Sequence, residues 1–152
     1  MCQSDTVNWS GETPKEVRNA RLIGIVIVAH GGLAREYLAA VEHVVGAQPG
    51  MVSIAIGPDD DRSAKQTEIC DAADAVDTGE GVVIVTDIFG GSPTNLSLRA
   101  CRPENRRIVY GANLPMLIKL AKSRSASVPD AVDAAIAAAH KYINSHNGGL
   151  PQ

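Results

Sequence analysis

The sequence predicts an α/β fold: a doubly wound, mostly parallel sheet of four or five strands with helices on both faces. Short apolar runs rich in β-branched residues recur along the chain, and most are followed by apolar residues at helical spacing. The runs are continuously apolar, as in strands covered on both faces, whereas a strand with one face in water alternates apolar and polar residues. A repeated strand–helix order with right-handed crossovers then produces a parallel sheet.

The length of the chain favours one domain. At 152 residues and 45% hydrophobic content, the chain can bury the core of a single compact domain, which we place at residues 22–146. Residues 1–21 are polar and lack a sustained period, so a flexible leader is expected there. Residues 147–152 begin with Asn-Gly-Gly and are expected to fray.

Composition argues against several classes of partner. The net charge is −3, with acidic and basic residues interspersed, so there is no basic patch and no nucleic-acid partner is predicted. No apolar run approaches the about 20 residues of a membrane span, so no direct membrane insertion is expected. Cys2, Cys70 and Cys101 are odd in number and far apart, which favours buried thiols in the cytoplasm over disulfides or zinc.

Strands and helices are predicted to alternate along the domain. Strands are predicted at four apolar runs, residues 22–30, 52–56, 81–86 and 107–111. The first helix has six apolar residues that are predicted to face the sheet, Ala34, Tyr37, Leu38, Val41, Val44 and Val45, and Gly46 ends it. The later helices have start signals at Asp59-Asp60-Asp61, at Pro93 after a capping Ser92, at Pro115 and at Pro129. The third helix is expected to end at about Cys101, and the last is expected to include Ile143.

Polar residues follow three of the predicted strands at the same edge of the sheet. His30 ends the first strand, Asp87 and the turn Gly90-Gly91-Ser92 follow the third, and Asn113 follows the fourth as nearby support. Open α/β sheets bind ligands at this carboxyl edge. A lone histidine here would be interpreted as a hydrogen-bonded residue at the core boundary. The matching chemistry at the other strand ends favours a functional site.

These residue types suit the transfer of a phosphoryl group. A carboxylate that accepts a hydrogen bond from imidazole Nδ1–H leaves Nε2 free as a nucleophile, and Asp87 is the candidate carboxylate for His30. Gly90, Gly91 and Ser92 at a helix start expose backbone N–H groups, which bind phosphate well. Two interpretations remain: a histidine that carries a phosphoryl group, or a module that only binds a ligand at this edge.

Other chemistries lack the residues that they need. A serine hydrolase would need a G-x-S-x-G turn, and Pro93 after Ser92 has no N–H for an oxyanion. The turn after the first strand matches neither a P-loop nor a dinucleotide motif. His43, His140 and His146 lie on or beyond predicted helices with no ligand spacing to His30, so no metal site is predicted.

Three motifs together give a family resemblance. Residues 28–31 (VAHG), 87–95 (DIFGGSPTN) and 111–117 (GANLPML) resemble the enzyme IIA domain of the mannose family of the bacterial phosphoenolpyruvate-dependent sugar phosphotransferase system. The resemblance covers about residues 22–145. It implies that His30 is phosphorylated by the phosphocarrier HPr or a paralogue, with Asp87 as its hydrogen-bonded partner and Ser92 in the phosphate-binding turn. It implies no metal or nucleotide cofactor.

The implied function is that of a protein phosphohistidine phosphotransferase. It would take a phosphoryl group from HPr and pass it to a histidine- or cysteine-bearing acceptor, either an enzyme IIB or a regulatory protein. One alternative is a regulatory binding module that responds to phosphorylation and has no role in sugar transport. Another is the phosphotransfer subunit of dihydroxyacetone kinase, which shares the general plan.

The resemblance also implies a homodimer. Family members tend to dimerise by lending a short C-terminal edge strand to the partner. In the corresponding residues 141–145, only Tyr142 and Ile143 are strand formers, so this segment could instead extend the last helix.

Overall fold

The computed structural model describes residues 22–149. The predicted leader and residues 150–152 of the predicted frayed end lie outside this range. The strands are β1 Gly24–His30, β2 Met51–Ile56, β3 Val82–Thr86 and β4 Arg106–Tyr110. The helices are α1 Leu33–Val45, α2 Arg62–Val76, α3 Ser92–Ser97, α4 Leu114–Lys122 and α5 Val128–Lys141.

Within the described residues, the strands form one parallel sheet of four, in the order β2-β1-β3-β4. The chain passes from β1 to β2 on one side and then crosses back to β3 on the other side of β1. The order therefore reverses between β1 and β3, and open α/β sheets place their ligands at such a point. This arrangement confirms the predicted doubly wound α/β fold.

Helices cover both faces of the sheet. Alternate residues of the central strand point to opposite faces and therefore pack against different helices. Ile25, Ile27 and Ala29 of β1 pack in the cluster formed with α1, α4 and α5. Val26 and Val28 pack in the second cluster, with α2 and α3. All five side chains are fully buried, and burial of a Val or Ile side chain stabilises a fold by about 1.5–3 kcal/mol. The strand that ends at His30 is thus held firmly from both sides.

Predictions for the first and third helices need correction. Val44 is 55% exposed rather than facing the sheet, because Val41 and Val45 occupy the inner side of the last turn of α1. The third helix ends at Ser97 instead of about Cys101, and the residues after it continue as turns, with the Cys101 N–H donating to the Leu98 carbonyl at 3.3 Å.

The last helix also ends earlier than predicted. It stops at Lys141 with Tyr142 as its C-cap, and the residues after Tyr142 form neither a strand nor further helix. Ile143 is therefore not a core residue of α5, and its side chain is 70% exposed. Residues 141–145 therefore do not continue the helix beyond Lys141, and they do not form an edge strand within this chain.

The cysteines were expected to be buried thiols, but Cys70 and Cys101 are free and half-buried. Cys2 lies outside the described residues. The helices in residues 22–149 are all too short or too polar to span a bilayer.

Candidate active site at the carboxyl edge of the sheet

The structure brings His30 and Asp87 together at the carboxyl ends of β1 and β3. The Nδ1 atom of His30 lies 2.8 Å from Oδ2 of Asp87, and the backbone N–H of His30 donates to the same oxygen at 3.0 Å. The imidazole is 52% exposed, whereas the Asp87 side chain is only 12% exposed. The carboxylate therefore fixes the ring from the inner side and leaves the rest of the ring accessible.

The electrostatics of Asp87 determine which ring nitrogen of His30 is free. Burial alone raises the pKa of the Asp87 carboxyl, but hydrogen bonds from the backbone and ring of His30 outweigh burial, and the pKa lies below its ordinary value. Asp87 is accordingly ionised near neutral pH and accepts a hydrogen bond from Nδ1–H. We assign the neutral ring to this tautomer, in which Nε2 carries the lone pair.

Gly91 lies directly against the imidazole. A Cβ atom placed on Gly91 would lie 3.1 Å from Cε1 of His30 and 3.1 Å from Cγ2 of Ile88. Gly90, one residue earlier, has a φ of 79°, which side chains rarely adopt. The turn thus needs glycine twice for different reasons: at Gly90 for its backbone conformation, and at Gly91 for space beside the ring.

Ser92 does not cap α3 as predicted. The helix begins at Ser92, Gly91 has the extended N-cap backbone, and no side chain makes a cap hydrogen bond. The hydroxyl of Ser92 is thus not used in capping. Because α3 has only six residues, we expect the backbone N–H groups and this hydroxyl, rather than a helix dipole, to bind a phosphoryl group here.

Two buried threonines support the turn after β3. The Thr94 hydroxyl donates to the Ile88 carbonyl at 2.8 Å and lies 2.9 Å from the Thr86 hydroxyl. These bonds connect the end of β3 to α3 across the segment that contains Asp87 and Gly91. Neither threonine was among the predicted site residues, and only their positions on both sides of the glycine turn could have suggested the role.

Asn113 lies at the same edge but its side chain is used elsewhere. Its Oδ1 accepts from the Met116 N–H at 2.9 Å and caps α4, and its Nδ2 donates to the Ala139 carbonyl of α5 at 3.1 Å. Its side-chain hydrogen bonds therefore go to α4 and α5 and not to His30 or Asp87, so any support for the site is indirect.

Tyr37 of α1 is close to the site as well. Its hydroxyl donates to the Ala112 carbonyl at 3.1 Å, which ties α1 to the loop after β4. Burial raises the pKa of Tyr37, and the negative charge of Asp87 adds to the effect. In the sequence, Tyr37 was visible only as one of the apolar positions of the first helix.

A cavity of about 360 Å³ opens beside His30; we call it the His30 cavity. His30, Gly31 and Ser92 line it together with Arg62 and Lys65 from the first turn of α2. The two cations were not among the predicted site residues. Their proximity to His30 depends on how α2 packs next to α3, which no local motif indicates.

The comparison with known proteins identifies the family. The sequence pattern of the family described as "PTS system fructose IIA component" (EIIA-man) matches residues 24–139. The chain belongs to this family. It is therefore a mannose-family EIIA component of the phosphotransferase system. The resemblance stated from the three motifs is confirmed.

Several EIIA proteins are similar to this chain. The mannose-specific EIIAB component of Escherichia coli K12 is 30% identical over 103 residues, which cover 67% of this chain and 32% of that protein. The sorbose-specific EIIA component of Lacticaseibacillus casei is 30% identical over 98 residues, which cover 64% of this chain and 70% of that protein. The crystal structure of EIIA from Streptococcus agalactiae superposes with a TM-score of 0.74 at 26% identity, covering 82% of this chain and 97% of that one.

Proposed function

We propose that Nε2 of His30 accepts a phosphoryl group from phosphorylated HPr and passes it to a histidine or cysteine of an acceptor protein. The acceptor is an enzyme IIB or a regulatory protein, and the proposal places the reaction in the cytoplasm, which the cysteine usage favours. One observation carries the proposal. Oδ2 of Asp87 lies 2.8 Å from Nδ1 of His30 and accepts its hydrogen bond. Nε2 is then the available nucleophile, on a half-exposed ring beside the His30 cavity.

The proposed transfer step requires neither a metal nor a nucleotide. The lone pair on Nε2 attacks phosphorus, the N–P bond to the donor histidine breaks, and the donor imidazole leaves with that electron pair. The His30 ring keeps its Nδ1 proton and gains positive charge as Nε2 bonds to phosphorus. The ionised Asp87 offsets that charge through the hydrogen bond already in place. Transfer to the acceptor is the same step in reverse, with the acceptor nitrogen or sulfur as nucleophile.

Labelling tests the proposal directly. Incubation with phosphoenolpyruvate, enzyme I and HPr is expected to attach one phosphoryl group per chain, with the acid-labile and alkali-stable behaviour of a phosphohistidine. NMR of the labelled imidazole should place phosphorus on Nε2, because Nδ1 bonds to Asp87. Omission of HPr is the control and should leave the chain unlabelled. Absence of label with the complete donor set, or phosphorus on Nδ1, would contradict the proposal.

Asp87→Asn is expected to slow the transfer without unfolding the protein. The amide keeps the size of the side chain but removes the charge that stabilises the phosphorylated ring. Hydrogen bonds to charged groups contribute about 1.5–3 kcal/mol, so the rate should fall by about 10- to 100-fold. The measurement is the initial rate of labelling from a common HPr donor, with a thermal melt alongside. A rate equal to that of the wild type would make Asp87 a purely structural residue of the strand end.

We further propose that the protein is a homodimer that associates along the outer edge of β4. In the part of the chain that the structure describes, β4 has a paired neighbour on one side only. Tyr110, Ile136 and Ile143 line a cavity of about 420 Å³ at this edge, and each is at least 39% exposed. An unpaired strand with exposed apolar neighbours favours association with a second chain.

A further inference from the structure

Two cations of α2 line the same cavity as the proposed phosphoryl acceptor. Arg62 and Lys65 lie one turn apart, at the start of the helix that follows β2, and both line the His30 cavity together with Ser92. The helix begins at the carboxyl edge of the sheet, where His30 ends β1. Both residues therefore line the cavity from α2, whereas Ser92 lines it from α3.

The two cations differ in the charges around them. The Lys65 ammonium lies 2.9 Å from a Glu68 carboxylate oxygen and 3.9 Å from one of Asp60, and its side chain is only 21% exposed. Arg62 forms no ion pair with any residue in the range 22–149 and is exposed. The cavity thus has one cation whose charge is already balanced and one that is available to an anion.

Asp60 also lines the cavity and must be included in the charge balance. Its Oδ2 accepts a hydrogen bond from the Gly57 N–H at 2.6 Å and faces Lys65. This carboxylate is therefore directed to its own loop and to the lysine. It adds negative charge near the site, which increases the need for a cation beside a bound phosphoryl group.

Phosphorylation of His30 would place negative charge on the phosphoryl oxygens. A phosphoryl group carries about −1.5 to −2 at pH 7. The positive charge of the ring is already offset by the ionised Asp87 at Nδ1, so the phosphoryl oxygens need a counter-charge of their own. Arginine suits the counter-charge, because its planar guanidinium binds two phosphoryl oxygens at once and it stays protonated.

We propose that Arg62 is a phosphoryl-binding residue, whose guanidinium contacts the phosphoryl oxygens on Nε2 of His30 during transfer. The inference rests on the proposed phosphorylation of His30. Lys65 has a secondary role, because its ammonium is balanced by Glu68 and Asp60. A charged side chain on α2 therefore adds a contact to those made by the backbone of the Gly90-Gly91-Ser92 turn.

Three variants test the role of Arg62 in transfer. Arg62→Gln removes the charge, Arg62→Lys keeps it without the bidentate geometry, and Arg102→Gln is the matched control. Arg102 is an exposed arginine in the loop before β4, at the opposite edge of the sheet. Relative to the wild type, labelling by HPr is expected to slow by about 10- to 100-fold in Arg62→Gln, to fall less in Arg62→Lys, and to stay unchanged in Arg102→Gln.

A second measurement separates phosphoryl binding from docking of the donor protein. Inorganic phosphate is titrated into each unphosphorylated protein while the ring signals of His30 are followed by NMR. Arg62→Gln is expected to weaken phosphate binding by about tenfold or more, whereas Arg102→Gln should match the wild type. Slower labelling with unchanged phosphate binding would overturn the proposal, because Arg62 would then act on HPr itself. Equal behaviour of both glutamine variants in both measurements would overturn it as well.

Labelling of the wild type distinguishes the proposed function from the role of Arg62. If the wild type takes up no label from HPr, the proposed function fails, and the proposed role of Arg62 in transfer fails with it. If the wild type is labelled at His30 and Arg62→Gln behaves as the control does, the proposed function stands and the role of Arg62 is rejected.

Discussion

His30→Ala is expected to take up no detectable phosphoryl group from phosphoenolpyruvate, enzyme I and HPr. The variant removes the imidazole that Asp87 orients, and no other histidine within residues 22–149 bonds to that carboxylate. The described histidines besides His30 are His43 in α1, His140 in α5 and His146 after α5. The matched control is His43→Ala, which should be labelled as fully as the wild type.

Folding of the His30→Ala variant can be verified independently. The imidazole is half exposed, so its loss opens no large cavity in the core, and the backbone N–H of residue 30 can still donate to Asp87. We therefore expect a cooperative melt close to that of the wild type. Undiminished labelling of a folded His30→Ala protein would refute the assignment of the acceptor. Loss of labelling in His43→Ala would instead identify His43 as the acceptor.

Gly91→Val is expected to lower the transfer rate by about 100-fold or more. A Cβ at this position would already lie 3.1 Å from the His30 ring and from Ile88, and valine adds two methyl groups beyond it. The ring or the turn must then move, and displacement of a reacting group by about 1 Å can cost about 100-fold in rate. The turn lies at the surface edge of the sheet, so circular dichroism should show the fold largely retained.

Ser92→Ala is the comparison for Gly91→Val at the adjacent position. It removes one hydroxyl and leaves the backbone N–H groups in place, and a neutral hydrogen bond contributes about 0.5–1.5 kcal/mol. The rate of labelling from a common HPr donor should therefore remain within about tenfold of the wild type. If Ser92→Ala abolished transfer while Gly91→Val were tolerated, the hydroxyl and not the backbone would be the essential contact.

Much of the fold could be predicted because the pattern of apolar residues within a short segment indicates which residues are buried. β1 and β3 are continuous apolar runs, and the structure buries them on both faces. Gly46 and Asp61 mark helix ends whose signals depend on adjacent residues alone: Gly46 has a φ of 86° after α1, and the Asp61 side chain accepts from the Ala64 N–H. That His30 and Asp87 share one edge of the sheet followed from the parallel direction of the predicted strands.

The errors arose where packing between distant segments decides the outcome. Ser92 has the features of a capping residue, but α3 starts one residue earlier than a serine cap requires, because Gly91 adopts the extended cap backbone. Val44 keeps the helical period and is nevertheless exposed, because Val41 and Val45 occupy the inner side of the last turn of α1. Arg62 reaches the site only because α2 packs beside α3, and the two helices begin 30 residues apart in the sequence.

The contact between His30 and Asp87 also constrains how the protein acquires its activity. The two residues are 57 positions apart in the chain, and their strands are neighbours only after α1, β2 and α2 have been placed. Closure of so long a loop has an entropic cost that only the completed core offsets. No early, locally formed hairpin or helix can assemble the site. Competence for phosphorylation should therefore report on the native population alone and appear and disappear together with the cooperative folding transition.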